Sequence, residues 1–190
     1  KKIQLPFSES EMFAALSSDN FDNSFTGVRD RFIIDLFYTT GIRRIELIQI
    51  KISDFNVSKK QIKVLGKRNK ERIIPLIDST ISLFDKYISF RSELKSSQES
   101  LFITIKGKPV YEKLIYRIIT KYFDNISTKV KKSPHIIRHT FATHLLNNGA
   151  DLNSVKDLLG HSSLAATQVY TNRSIDEIKK VFAKSHPRNI

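Results

Sequence analysis

Cysteine and tryptophan are both missing from the 190-residue chain, and methionine occurs once. Without cysteine there is no disulfide framework, no thiolate metal site and no thiol nucleophile. With only six glycines and five prolines, no internal repeat or low-complexity tract is visible. The longest apolar runs are far too short to span a bilayer. The opening KKIQLPF has basic residues but no apolar stretch of signal-peptide length. A cytoplasmic address, with no membrane partner, is therefore expected. Acidic residues are also scarce: 19 against 32 lysines and arginines, a formal charge of +13. An excess this large points to an anionic partner, nucleic acid before membrane surface.

What is present is ordinary for a globular protein. Hydrophobic residues make up 40% and charged residues 27%, which excludes a disordered chain. The length suffices for one large domain or two small ones. Ser8-Glu-Ser-Glu11 is a capping box opening a helix that carries Met12, Phe13 and Leu16. Phe32, Ile33, Leu36 and Phe37 recur at helical spacing within a helix from about Phe25 to Tyr38, which Gly41 breaks. A short helix resumes from Arg43 to Ile48.

Residues 61–65 alternate polar and apolar, residues 71–76 are rich in isoleucine and proline, and Gly66–Lys70 joins them. This pattern predicts a β-hairpin with a basic tip. Residues 59–72 hold seven basic residues and one acid. Helices are expected at about 79–92 and 111–127, with a short strand at Leu101–Ile103 between them. Ser133-Pro134 opens a helix running to about Asn148. Asp151 caps the next helix and Gly160 ends it. Ser174-Ile-Asp-Glu177 is a capping box for a last helix to about Lys184. The fold class expected is mainly α with a small antiparallel β-sheet.

The chemistry concentrates between Pro134 and Tyr170, which gathers four of the five histidines, an arginine and a phenol. At about 100° per residue, His135, Arg138 and His139 share one side of their helix, while Ile137, Phe141 and Leu145 face the core. Three cationic or proton-handling groups near a helix N-terminus suit an anion. His144 lies about 180° from His135 on the helical wheel and reads as a structural or surface histidine. Zinc is disfavoured, because the glutamate of an H-E-x-x-H motif is missing and there are no cysteines. No metal or other cofactor is expected.

Outside that stretch, Arg43 follows Gly41 at the start of a helix, where a guanidinium can serve as a fixed fork for phosphate. Its alternative is a surface pair with Glu46 at i,i+3. Lys67 sits at the hairpin tip and could donate a proton, and Lys70 is an equal candidate by spacing. Tyr170, nine residues after His161, is a weak nucleophile unless its neighbours stabilise the phenolate.

Taken together, T-G-I-R-R-I-E-L, G-K-R-N-K-E-R-I-I-P-L, H-I-I-R-H-T-F-A-T-H-L-L, L-L-G-H-S and Tyr170, in this order, resemble the tyrosine recombinase/integrase family, most closely its Xer-like bacterial members. The resemblance covers nearly the whole chain. It implies the catalytic-domain fold of that family and cleavage and rejoining of double-stranded DNA without metal or ATP. Arg43 and Arg138 would clamp the scissile phosphate, and His161 would add a hydrogen bond. Lys67 would protonate the leaving 5′-oxygen, and His135 would help accept the tyrosine proton. Tyr170 would form the 3′-phosphotyrosyl link. His139 and Glu46 would support these groups from behind, and Arg44, Arg68, Lys70 and Arg72 would contact DNA.

The resemblance also implies a tetramer of like or unlike recombinases on paired sites, joined through the C-terminal helix. Residues 1–7 read as a linker remnant and 8–190 as the catalytic domain, with the N-terminal core-binding domain of the family outside this chain. A mobile-element integrase of the same chemistry, or a non-catalytic DNA-binding relative, is the alternative to a role in resolving chromosome or plasmid dimers.

Overall fold

The computed structural model describes residues 5–66, 71–128, 131–160 and 172–189. Helix α1 (Glu9–Ala15) starts at the capping box read from the sequence. The Glu11 backbone N–H donates to Ser8 Oγ at 3.1 Å, and the Ser8 N–H donates to Glu11 Oε2 at 2.7 Å. Met12 and Leu16 are buried, whereas Phe13 is exposed.

Helix α2 (Phe25–Thr40) is the axis of the fold. It is buried around nearly its whole circumference, polar residues such as Asp35 and Thr39 included, as expected of a helix enclosed on all sides. It packs against α4 (Asp78–Glu93), α5 (Glu112–Phe123) and α6 (Pro134–Asn147). Phe32 forms the aromatic centre, with the rings of Phe55, Phe84, Tyr87 and Phe102 at centroid distances of 5.1–6.3 Å. Gly41 ends α2 in a left-handed conformation, φ 59°, and its N–H donates to Phe37 O.

After α3 (Arg44–Gln49) comes a three-stranded antiparallel sheet in the order β1 (Phe55–Asn56), β2 (Gln61–Leu65), β3 (Glu71–Pro75). The hairpin is the one the alternation predicts. Ile62 and Val64 point inward opposite Ile74 and Arg72. The edge strand β1 was not anticipated, since two residues carry no periodicity.

The strand expected at Leu101–Ile103 joins no sheet. It makes one isolated bridge, Ile103 with Pro109, next to another between Lys51 and Ser100. Side chains of α4 satisfy Leu101 O and Ile103 N–H, while Leu101 N–H donates to Ile50 O and Phe102 O accepts from Val110 N–H. The Tyr87 hydroxyl donates to Leu101 O and accepts from Ile103 N–H, both at 3.1 Å, and Arg91 Nε donates to Leu101 O at 3.2 Å. The helix expected to reach residue 127 stops at Phe123.

Helix α7 (Leu152–Leu159) is capped by Asp151, whose carboxylate accepts the N–H groups of Asn153 and Ser154 at 2.9 Å, and Gly160 ends it at φ 62°. Helix α8 (Asn172–Ser185) begins before Ser174, so Ser174 is not its cap. Its C-terminal end is embedded. Phe182 and His186 are buried, and His186 Nε2 donates to Tyr38 O at 3.2 Å. Arg188 pairs with the buried carboxylate of Asp35, which also accepts from Thr80 Oγ1 at 2.6 Å.

His144 has the structural role expected of it. Its Nε2 donates to Phe7 O at 3.0 Å, which leaves Nδ1 to accept the Tyr38 hydroxyl at 2.9 Å. Burial pushes this imidazole down, towards the neutral form that the arrangement needs. Phe7, the last residue of the stretch read as a linker, is fully buried against Phe123.

Gly41 joins α2 to α3 where no larger residue fits. A Cβ there would lie 2.9 Å from Leu159 Cδ2 and closer still to the Phe141 ring, in a backbone conformation that L-residues disfavour. Gly41→Ala should therefore destabilise the protein by about 2–4 kcal/mol. Urea unfolding should show a lower midpoint at unchanged slope. An unchanged midpoint would mean that this junction relaxes freely.

Candidate active site

Three arginines from three different elements meet at one helix terminus. Arg72 on β3 donates from Nε to Leu158 O at 3.0 Å. Arg138 on α6 donates from Nη2 to Leu159 O at 2.7 Å and from Nη1 to Gly41 O. Arg43, just before α3, donates from Nη2 to Gly160 O at 3.1 Å. The acceptors are three successive carbonyls at the C-terminal end of α7. Carbonyls there lack partners within their own helix and carry the negative end of its dipole, so they favour cations.

Glu46 is the counter-ion that allows the arginines to crowd together. Its Oε1 accepts from both Arg43 Nη1 and Arg72 Nη1 at 2.8 Å. Its Oε2 accepts from Arg72 Nη2 and from the Arg43 backbone N–H, also at 2.8 Å. Burial by itself would raise the Glu46 carboxyl. The hydrogen bonds and charge of Arg72, and then the bonds from Arg43, outweigh it and hold the group down at about 2. Burial, reinforced by the charges of Arg43 and Arg72, pushes the Arg138 guanidinium down to about 9. It remains a cation at neutral pH. Three guanidiniums against one carboxylate leave two positive charges in excess, which suits an anionic ligand. The Arg43 side chain, 27% exposed, is the member of the cluster most open to solvent.

The structure thus brings Arg43, Glu46 and Arg138 together, as the sequence led us to expect, with Arg43 engaged in the i,i+3 pair as well. His135 and His139 lie exposed on α6, whereas Arg138 is buried. Arg44 stands outside the cluster, paired with Glu112 at 2.9 Å on the surface between α3 and α5. Lys67, Arg68, Lys70, His161 and Tyr170 lie outside the described residues. Among the described residues, no group of three histidine, cysteine, aspartate or glutamate side chains could hold a metal ion. Among them too, no helix is long and apolar enough to cross a membrane.

Arg72 requires a correction. It was expected to contact DNA, yet it is 5% exposed, and among the described residues its hydrogen bonds run to Glu46 and Leu158. The signal was in the alternation of β3. Arg72 is two residues from Ile74 and therefore on the same, inward face of a strand.

Comparison with known proteins defines the lineage. The sequence pattern described as the phage integrase family matches residues 8–177. The chain belongs to the phage integrase family. Within this family it is 46% identical over 165 residues to the tyrosine recombinase XerD of Staphylococcus haemolyticus (strain JCSC1435), covering 85% of this chain and 56% of that protein. It is 43% identical over 183 residues to XerD of Staphylococcus saprophyticus subsp. saprophyticus, covering 94% and 61%. Against XerD of Staphylococcus epidermidis (strain ATCC 35984) the figures are 38% over 191 residues, covering 99% and 64%. The chain therefore spans 56–64% of the length of these curated relatives.

Solved structures of recombinases share the fold. XerA recombinase superposes with a TM-score of 0.76 at 26% identity, over 95% of this chain and 65% of that one. XerH site-specific recombinase, in its post-cleavage complex with a palindromic difH substrate, gives 0.76 at 27% identity, over 96% and 53%.

The depressed Glu46 carboxyl has a consequence for stability. Its folded-state value of about 2 lies below the ordinary 4.5, so its contribution is complete above about pH 4.5 and is lost as pH falls towards 2. The difference corresponds to at most about 3 kcal/mol. Glu46→Gln should be less stable at neutral pH, and its stability should fall less steeply between pH 4.5 and 2. Urea unfolding at a series of pH values reads both effects. Parallel acid limbs for the two proteins would show that Glu46 is not held ionised by the arginines.

Proposed function

We propose that this chain is the catalytic part of a Xer-like site-specific recombinase, which cleaves and rejoins double-stranded DNA through a 3′-phosphotyrosyl intermediate. The observation that carries this reading is the arginine cluster: Arg43 and Arg138 are fixed at one helix terminus with positive charge in excess. A guanidinium pair held by protein acceptors before the ligand arrives can stabilise charge on a phosphate without reorganising during the reaction. The family membership, the XerD relatives and a neighbour bound to a DNA substrate support the same reading.

In this mechanism the Tyr170 hydroxyl oxygen attacks the scissile phosphorus. Arg43 and Arg138 neutralise the non-bridging oxygens, and His161 donates a further hydrogen bond. The phenol proton leaves with help from His135. The bond from phosphorus to the 5′-oxygen breaks, and Lys67 supplies the proton that oxygen takes up. His139 supports the site from the outer face of α6. The phosphodiester is conserved as a protein–DNA ester, so religation by an incoming 5′-hydroxyl needs no external energy. Arg44, Arg68 and Lys70 supply contacts to the DNA backbone, with the salt dependence such contacts carry. The working unit would be a tetramer on paired sites, joined through α8, acting on chromosomal or plasmid DNA in the cytoplasm.

Tyr170→Phe removes only the nucleophilic oxygen and leaves the arginines in place. It should abolish covalent capture of a nicked duplex carrying the recombination site while leaving DNA affinity within about twofold. A denaturing gel reads the covalent band and a titration reads the affinity. A covalent adduct formed by this variant, or attached to another tyrosine in the wild type, would overturn the assignment.

A further inference from the structure

We infer that Arg72 is a positioning residue for strand cleavage: it reaches no phosphate itself, but sets the orientation of Arg43 and of the turn at Gly160 through Glu46 and Leu158 O. The inference rests on the recombinase reading above. Three observations lead to it. First, all three nitrogens of Arg72 are engaged within the protein, through three of its five N–H donors. Both terminal nitrogens lie 2.8 Å from the two oxygens of Glu46, and Nε lies 3.0 Å from Leu158 O, in a side chain almost wholly shielded from solvent. Contact with DNA would require breaking a buried two-pronged ion pair.

Second, Arg72 and Arg43 share an acceptor. Glu46 Oε1 takes one hydrogen bond from each at 2.8 Å, so the angle at which Arg43 leaves the cluster is set partly by where Arg72 holds the carboxylate. Third, Arg72 is packed against the end of α7. A Cβ on Gly160 would lie 3.1–3.3 Å from Arg72 Cδ, Nη1 and Nε, so the guanidinium and the turn fit each other closely. The residue after this turn is His161. Arg72 is also paired in register with Val64 across the hairpin, whose connecting residues include Lys67. One buried side chain thus ties the sheet, α3 and α7 together, the three elements that adjoin Lys67, Arg43 and His161 in the chain.

Lysine cannot reproduce this grip, because a single ammonium has no planar fork to span a carboxylate and a carbonyl together. Arg72→Lys keeps the charge and loses the geometry. At saturating nicked duplex, its rate of covalent trapping should fall about 100-fold, the scale of effect of a misplacement of roughly 1 Å at the reacting centre. Its DNA affinity and the dependence of that affinity on salt should match the wild type. Glu46→Gln reads the same relay from the other side, and carries the test alone if Arg72→Lys does not fold. It should show the same loss at an unchanged salt slope. The double variant should be no slower than the slower single variant, because both changes break one linkage.

A salt slope lowered by about one would make Arg72 a phosphate contact and overturn the inference. Losses that multiply in the double variant would overturn it too. So would a cleavage rate that recovers fully on cooling in step with melting, since Arg72 would then serve the fold alone. Wild-type cleavage with unimpaired variants would defeat this inference and leave the recombinase reading standing. Absence of any wild-type cleavage on duplexes bearing the site would defeat both.

Discussion

The C-terminal end of α7 is the point on which the site depends. A helix terminus leaves carbonyls without partners, and here the protein fills three in succession with guanidiniums from β3, α6 and the residue before α3. The arrangement works in both directions. The arginines satisfy the helix, and the helix fixes the arginines at spacings no single element could set. Gly41 completes the joint, because its carbonyl takes a second bond of Arg138 and its missing side chain lets Phe141 and Leu159 approach.

Three buried or half-buried cations repel one another, and desolvating them is costly. Glu46 resolves the conflict in part only. It neutralises one charge and binds two of the three arginines, leaving an excess that a phosphate would complete. Such a site is electrostatically unfinished when empty. The order of commitment follows from burial: Arg72 is turned fully inward, Arg138 is nearly so, and Arg43 keeps its outer edge in solvent. The same fold therefore holds one arginine as structure and presents others as chemistry.

Much of this was legible in the sequence because local rules governed it. The capping box at Ser8, the buried periodicity of α2, the alternation of the hairpin and the ends of α7 at Asp151 and Gly160 all hold. The readings that failed did so for different reasons. Leu101–Ile103 has a strand-like composition, but Tyr87 and Arg91 take up part of its backbone and it makes only an isolated bridge. Ser174 resembles a cap, but α8 starts upstream of it. Arg72 was grouped with its basic neighbours by composition, when strand alternation assigned it to the inner face. The pairing of Glu46 with Arg72, 26 positions apart in sequence, has no local signature. Motif order supplied Arg43 and Arg138, but only the fold reveals what holds them.

The central claim is that Arg43 and Arg138, prearranged on α7, receive a DNA phosphate while Arg72 stays within the protein. A crystal structure of the Tyr170→Phe protein bound to a duplex carrying its recombination site tests it most directly. The account predicts one phosphate whose two non-bridging oxygens lie about 2.7–3.0 Å from the guanidiniums of Arg43 and Arg138, with Arg72 still on Glu46 and Leu158 O. A phosphate seated elsewhere, or Arg72 swung out onto the DNA, would contradict it.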